Sequence, residues 1–246
     1  MKVTPRVESM FAQAASLHQS GRLKNTIYAT GSSVFIFNQD HTVLIKFALR
    51  PEEAPFAHPI SFDAAEYDSN ELQERDGFVE FIQRDAGFTR IKSCRAPKYT
   101  PDQIVGIFKG FGKPSGDEVS LSKDVLGLLD GELSHIEFSA RGGKLTIAQR
   151  NIYRGSLIQL ERDKLPGRLG ILSEELGDFG PLGLRTDDFM SLFSFADSLT
   201  FWFGSGADGN VVHFKSSNDN LKMMGVLSRC VYDNLGGEIA KSKEDI

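Results

Sequence analysis

The chain has no apolar run approaching the ~18 residues that a membrane-spanning helix requires, so no membrane partner is expected. Its opening, MKVTPRVES, lacks the apolar centre of a secretory signal, and the expected location is the cytoplasm. Cysteine is scarce. Cys94 and Cys230 lie far apart and read as buried thiols rather than a disulfide, in keeping with a reducing compartment. The histidines, His18, His41, His58, His135 and His213, have no HxH or HExxH spacing and no neighbouring cysteines, which argues against a zinc site. There is no GxSxG elbow. An excess of basic residues is missing too: the net charge is -5 and the pI near 5.6. That balance argues against a protein that simply coats nucleic acid, while leaving room for basic faces on an acidic body. What is present, 246 residues with 40% hydrophobic and 25% charged content, suffices for one large domain or two of common size.

Two glycine motifs resemble nucleotide-binding loops without supplying their mechanism. Gly204, Gly206 and Gly209 satisfy GxGxxG, but that motif must open a helix whose N-terminus receives a pyrophosphate. Here Val211, Val212 and Phe214 continue as a strand. With Val211 the match extends to GxGxxGxV, the kinase form, yet Lys215 follows too soon and too little chain remains for a catalytic lobe. GSGADG therefore reads as a hairpin turn. The second motif, GFGKPSG, fails the spacing of GxxxxGK[ST] and carries Pro114 where the hydroxyl residue belongs. Asp187 and Asp188, adjacent at a helix start, point apart and read as charges complementing the helix dipole rather than metal ligands. Trp202, between Phe201 and Phe203, reads as a core or interface residue. No cofactor is expected.

Along the chain, Thr4 and Pro5 open a predicted helix over 5–19, with Val7, Met10, Phe11, Ala14, Ala15 and Leu17 as its apolar stripe. Strands are predicted at 26–30, 34–37 and 42–49, an extended stretch at 60–67, a short helix at 69–75, and a hairpin of 78–83 with 88–92. The stretch 94–118 is rich in proline and glycine and reads as a connection between domains. Ile104, Val105, Ile107, Phe108 and Phe111 make it too apolar for a passive tether. From Leu121 the order restarts: a helix over 123–133 capped by Ser122, then strands at 135–139, 144–148, 153–160 and 182–185. A helix over 187–196, capped by Thr186 and carrying Phe189, Leu192, Phe193 and Ala196, leads to strands at 199–203, 210–215 and 221–227. The halves repeat at a spacing of roughly 110 to 120 residues. The hairpin sequences VEFIQRDAGFTRIKS and TFWFGSGADGNVVHFKS read as counterparts. The predicted class is α+β: two tandem modules, each an antiparallel sheet backed by two helices, at 1–97 and 120–235. They are joined by a connector at 98–119 and followed by a polar, mobile tail at 236–246.

This order, together with ISFDAAEYD at 60–68, SLSKDVLGLLDGELSHIEFSARGGKLTI from Ser120, and the closing NVVHFK and NLKMMGVLS, resembles the DNA sliding clamps. That family includes proliferating cell nuclear antigen and the shorter clamps of T-even phages, and the phrases look most like the phage branch. The likeness spans nearly the whole chain and rests on topology and loose phrases, because clamps have no invariant catalytic motif. It implies a non-catalytic processivity factor. Clamp-like modules would pair edge strands head to tail into a closed homotrimer with helices lining a hole around duplex DNA. Such a ring holds DNA by topology, through weak contacts that carry no sequence preference. The implied partners are duplex DNA, a DNA polymerase, a clamp loader and further copies of the chain. For a phage clamp, a role in late transcription and a place in the host-cell cytoplasm are also implied.

Candidate DNA-facing cations are those on or beside the predicted helices: Lys2, Arg6, Arg22, Lys24, Arg75 and Lys123. Basic residues are denser on the strands and turns, at Arg84, Arg90, Lys92, Arg95 and Lys98 and at Arg141, Lys144, Arg150 and Arg154. These read as sheet-surface and subunit-pairing charges. The connector residues Ile104, Val105, Ile107, Phe108 and Phe111 are candidates for a groove that takes a short apolar peptide from the polymerase and the loader. Packing of the connector against its own domains explains them as well. Two other functions stay open: a virion or assembly protein forming a ring or tube without DNA, and an enzyme whose site no motif reveals.

Overall fold

The computed structural model describes residues 2–38, 40–53, 56, 58–95, 100–131, 133–150, 157–161, 177–203, 211–216 and 222–230. The GSGADG turn, Lys98, Arg154 and the polar tail lie outside them. Helix α1 (Pro5–Gln19) buries the six residues of its predicted stripe. Thr4 occupies the N-cap position, but its hydroxyl makes no cap bond, so Pro5, with its preset φ, carries the helix start. The Asn25 side-chain amide donates to the Ala14 carbonyl at 3.1 Å and ties the helix to the first strand.

Strands β1 (Asn25–Ala29), β2 (Ser33–Asn38), β3 (Val43–Ala48) and β4 (Ile60–Asp63) follow, β4 ending in a 3-10 turn, Ala64–Glu66. Next come β5 (Leu72–Arg75), β6 (Phe78–Asp85), β7 (Phe88–Arg95), helix α2 (Pro101–Gly110) and β8 (Asp117–Ser122). A 3-10 helix, Lys123–Leu128, precedes β9 (His135–Arg141), β10 (Lys144–Arg150), β11 (Leu157–Glu161) and β12 (Phe179–Arg185). Helix α3 (Thr186–Leu192) leads to β13 (Ser198–Phe203), β14 (Val211–Ser216) and β15 (Met223–Ser228).

All strand pairings are antiparallel. One eight-stranded sheet has the order β4-β1-β2-β3-β15-β14-β13-β8, a four-stranded sheet β11-β10-β9-β12, and a three-stranded sheet β5-β6-β7. The large sheet joins the two halves of the chain where β3 meets β15, from Val43 opposite Leu227 to Phe47 opposite Met223. Side chains alternate across its two faces. Ile27, Val34, Ile36, Ile45, Phe47, Leu199, Phe201 and Phe214 join α1 and α3 in one continuous core. Its aromatic rings pack in edge and tilted pairs, as Phe11 does on Phe62 at 5.4 Å and Phe189 on Phe201 at 5.4 Å. The opposite face carries Tyr28, Phe35, Phe37, Leu44 and Val226, and α2 lies over it through Ile104, Ile107 and Phe111.

Four expectations are corrected. The helix predicted at 69–75 is strand β5, turned into β6 by Asp76 (φ 53) and Gly77 (φ 79). Two successive positive φ values form the tight hairpin that an Asp-Gly pair favours. The described residues of the first half therefore hold one α-helix and two 3-10 turns, Pro51–Glu53 and Ala64–Glu66, in place of two helices. The proline- and glycine-rich stretch 94–118, read as a connection, is not loop throughout but contains α2, started by a capping box. The Thr100 side chain accepts from the Gln103 amide at 3.2 Å, and the Thr100 amide donates to Gln103 Oε1 at 2.8 Å. The helix predicted at 123–133 stops as a 3-10 turn at Leu128, with Gly127 weakening it and Leu129 extended. Ser122 makes no cap bond to it. Thr186 is likewise not the cap of α3 but its first helical residue, with Arg185 at the N-cap position.

Candidate nucleic-acid and partner interfaces

The loop that follows α1, the end of β2 and the start of α3 share one depression. Gly21, Arg22, Leu23, Lys24, Asn38, Asp40, Arg185 and Asp188 line a surface depression of about 250 Å³. Arg22, Lys24 and Arg185 bring three cations there on the helix-bearing side, faced by two carboxylates. Arg185 was not singled out in the sequence. Asp188 is buried, and its Oδ2 accepts from the Thr42 hydroxyl at 2.8 Å, while the Asn38 side-chain amide donates to the same hydroxyl oxygen at 2.6 Å. The Arg185 Nε stands 4.0 Å from that carboxylate. Burial pushes the Asp188 carboxyl above its ordinary range, with the Thr42 hydroxyl and Arg185 pulling the other way. Asp187 is exposed, so the two adjacent aspartates do point apart, one into the junction and one into solvent.

The other candidate cations divide. Lys123 opens its 3-10 helix with an exposed side chain, its Nζ 4.0 Å from the exposed Asp197. Arg6 lies on α1 but is held by Glu53. Lys2 bridges to Glu71, on a strand edge rather than a helix. Arg75 ends β5, in register with Phe78 and on the face turned away from the core. Of the residues read as sheet-surface charges, Arg84 chelates Glu71 through Nε and Nη2 at 3.1 Å. Arg90 faces Asp68 at 3.6 Å and Lys92 faces Glu66 at 3.0 Å.

On the opposite face of the large sheet, Ile104 anchors α2 and is 1% exposed, whereas Val105 points out at 41%. Ile107 and Phe111 are half-buried. Phe108 belongs to α2, and its side chain lies outside the described residues. Beside the helix, Met224 is 48% exposed, with Lys46 and Lys215 as its register partners on either side. Lys215 Nζ stands 4.9 Å from the Trp202 ring centroid, so Trp202 faces outward under a cation rather than into the core. His213, next to Trp202, is pushed to a lower pKa by burial, against the carbonyls of Phe111 and Gly112 at the end of α2. Met224 and Lys46 carry no sequence signal of their own, because only strand pairing between distant parts of the chain brings them together on the face that α2 covers.

Among the described residues no group of three His, Cys, Asp or Glu is placed to hold a metal ion, and no helix is long and apolar enough to cross a membrane. The arrangement offers surfaces: a basic depression on the helix side and an apolar strip with lysine borders on the other.

Three antiparallel sheets carry few helices, with α1 and α3 on one face of the largest and α2 on the other, an arrangement of the clamp type. Solved structures bear this out: the chain has the sliding-clamp fold. It matches the PCNA2-PCNA3 complex of Sulfolobus tokodaii with a TM-score of 0.56 at 12% identity, over 93% of this chain and 98% of that one. Against the proliferating cellular nuclear antigen of Entamoeba histolytica the TM-score is 0.54 at 11% identity, covering 91% and 96%. The Helicobacter pylori beta clamp, solved with 3,4-difluorobenzamide, gives 0.58 at 11% identity, over 94% of this chain and 65% of that chain. No protein-family model matches the sequence. No curated protein matches it either.

Proposed function

We propose that the protein is a DNA sliding clamp: a homotrimeric ring that encircles duplex DNA and tethers a replicative polymerase, with no chemistry of its own. A clamp loader would set it on DNA. One observation carries this reading. The order β4-β1-β2-β3 in the first half matches β12-β9-β10-β11 in the second, and β5-β6-β7 matches β13-β14-β15. Within the chain β3 pairs with β15, but their counterparts β11 and β7 end separate sheets and have no strand partner on that side among the described residues. A joint made once inside the chain and left open at both ends is satisfied by a neighbouring copy, head to tail. Under this correspondence the counterpart of hairpin β6-β7 is β14-β15, not the β13-β14 hairpin that sequence likeness suggested. The modules of 1–97 and 120–235 and the connector of 98–119 belong to this reading, with the second module drawn to start three residues earlier so as to include β8, which begins at Asp117 and pairs with β13.

In such a ring α1 and α3 face the hole. Duplex phosphates would meet Arg22, Lys24, Arg185 and Lys123. Arg6 braces α1 against Glu53, and Lys2 and Arg75 stand on strands outside this group. The polymerase and the loader would dock on the outer face, where Val105 and Met224 offer exposed apolar contacts beside α2. The test is to load the protein on circular duplex DNA and then linearise it: a sliding ring runs off the new ends. A protein that stays bound after linearisation, or one that is a monomer by light scattering, is not a sliding clamp.

A further inference from the structure

The three-stranded sheet carries a feature that encirclement of a duplex does not use. Arg75 on β5, Phe78 on β6 and Arg95 on β7 stand in one register row, Phe78 opposite both arginines. Val79 and Phe81, the next odd-numbered positions of β6, are buried in the core, so Phe78 points to the other side. Its ring is 44% exposed, the Arg75 side chain is 72% exposed, and Arg95 is exposed as well. We propose that this row is a docking platform for single-stranded nucleic acid, one base stacking on Phe78 while the flanking phosphates are held by Arg75 and Arg95.

Directly opposite residues on antiparallel strands stand ~5 Å apart, so the row spans roughly 10 Å and sets one cation on each side of one aromatic face. Stacking on an aromatic side chain combined with phosphate neutralisation is how sheet faces hold unpaired strands without reading sequence. The neighbouring acids leave the cations available. Asp76, 3.7 Å from the Arg75 Nε, is exposed, and such a solvated pair is weak. Glu80, in the next row, is held by the Gln73 side chain. Glu71, further along, is taken by Arg84. Arg95 has no partner among the described residues. An acidic peptide is the less fitting occupant, because apolar anchors of peptides seek enclosed pockets and Phe78 projects from an open face. The platform does not depend on the clamp reading, since a short linear strand is not retained by topology.

The experiment is fluorescence anisotropy of labelled dT and U oligonucleotides of about 12 nucleotides with the purified full chain at low salt. Binding of either supports the proposal, and the pair tells DNA from RNA. Phe78→Ala should weaken binding about tenfold or more, with Phe78→Tyr restoring it. The double variant Arg75→Ala with Arg95→Ala should flatten the log–log salt dependence by about 1.4, the loss of two phosphates. Unchanged binding in Phe78→Ala would overturn it, as would an acidic peptide binding where neither oligonucleotide does. Run-off from linearised duplex, measured on the same variants, should match the parent protein. Its loss in every variant and in the parent would sink the clamp reading alone.

Discussion

Asp188 shows how one side chain can carry two meanings. From sequence it is a helix-start charge; in the fold it is a buried carboxylate joining α3 to the β2–β3 turn through Thr42. Because burial raises its folded-state pKa, the fold favours the protonated form. The stability so gained is fully present below the ordinary value of 3.8 and is lost as pH rises through the folded value. Asp188→Asn, which keeps an acceptor for Thr42, should therefore gain on the parent in melting temperature as pH rises above the ordinary value of 3.8. A gap that stays constant across that rise would show that the carboxyl titrates normally. Arg185 is the other residue that sequence could not single out, since Arg22 and Lys24 lie some 160 positions away and only folding converges them. Arg185→Ala should lower duplex retention at low salt and reduce the salt slope by ~0.9, and an unchanged slope would remove it from the phosphate path.

Among the elements, α1 was legible because an amphipathic period of six apolar positions cannot be buried any other way. Helix α2 is equally readable, since Thr100, Pro101 and Gln103 spell a capping box, although the prolines and glycines around it carry the signature of a connection. The Asp76-Gly77 pair likewise announces a hairpin, the one that joins β5 to β6. The β3–β15 joint depends on a residue with no pattern at all. A Cβ on Gly225 would collide with the Leu44 carbonyl and come within 2.5 Å of the Phe214 ring. Gly225→Ala should cost on the order of 3 kcal/mol in urea unfolding, since neither backbone nor a packed ring yields easily. A loss below ~1 kcal/mol would mean the joint is looser than the register indicates.

For the whole molecule, the decisive property is the edge of β7, which has no strand partner on its outer side among the described residues. Ile91 on β7 is exposed in the single chain, so Ile91→Asp should leave the fold and its melting temperature nearly unchanged. If β7 pairs with a second copy, the variant's mass by light scattering should fall from a multiple of 27.2 kDa to that value. Equal masses for parent and variant would clear this edge of a role in assembly. The sequence by itself determined the α+β class, the first helix, most strands and the absence of recognisable catalytic motifs, because these follow from local period, turn chemistry and residue spacing. Only the tertiary structure decided which strands border each other, which face α2 covers, and which distant cations share a depression. Those are contacts between residues far apart in the chain, and no local pattern encodes them.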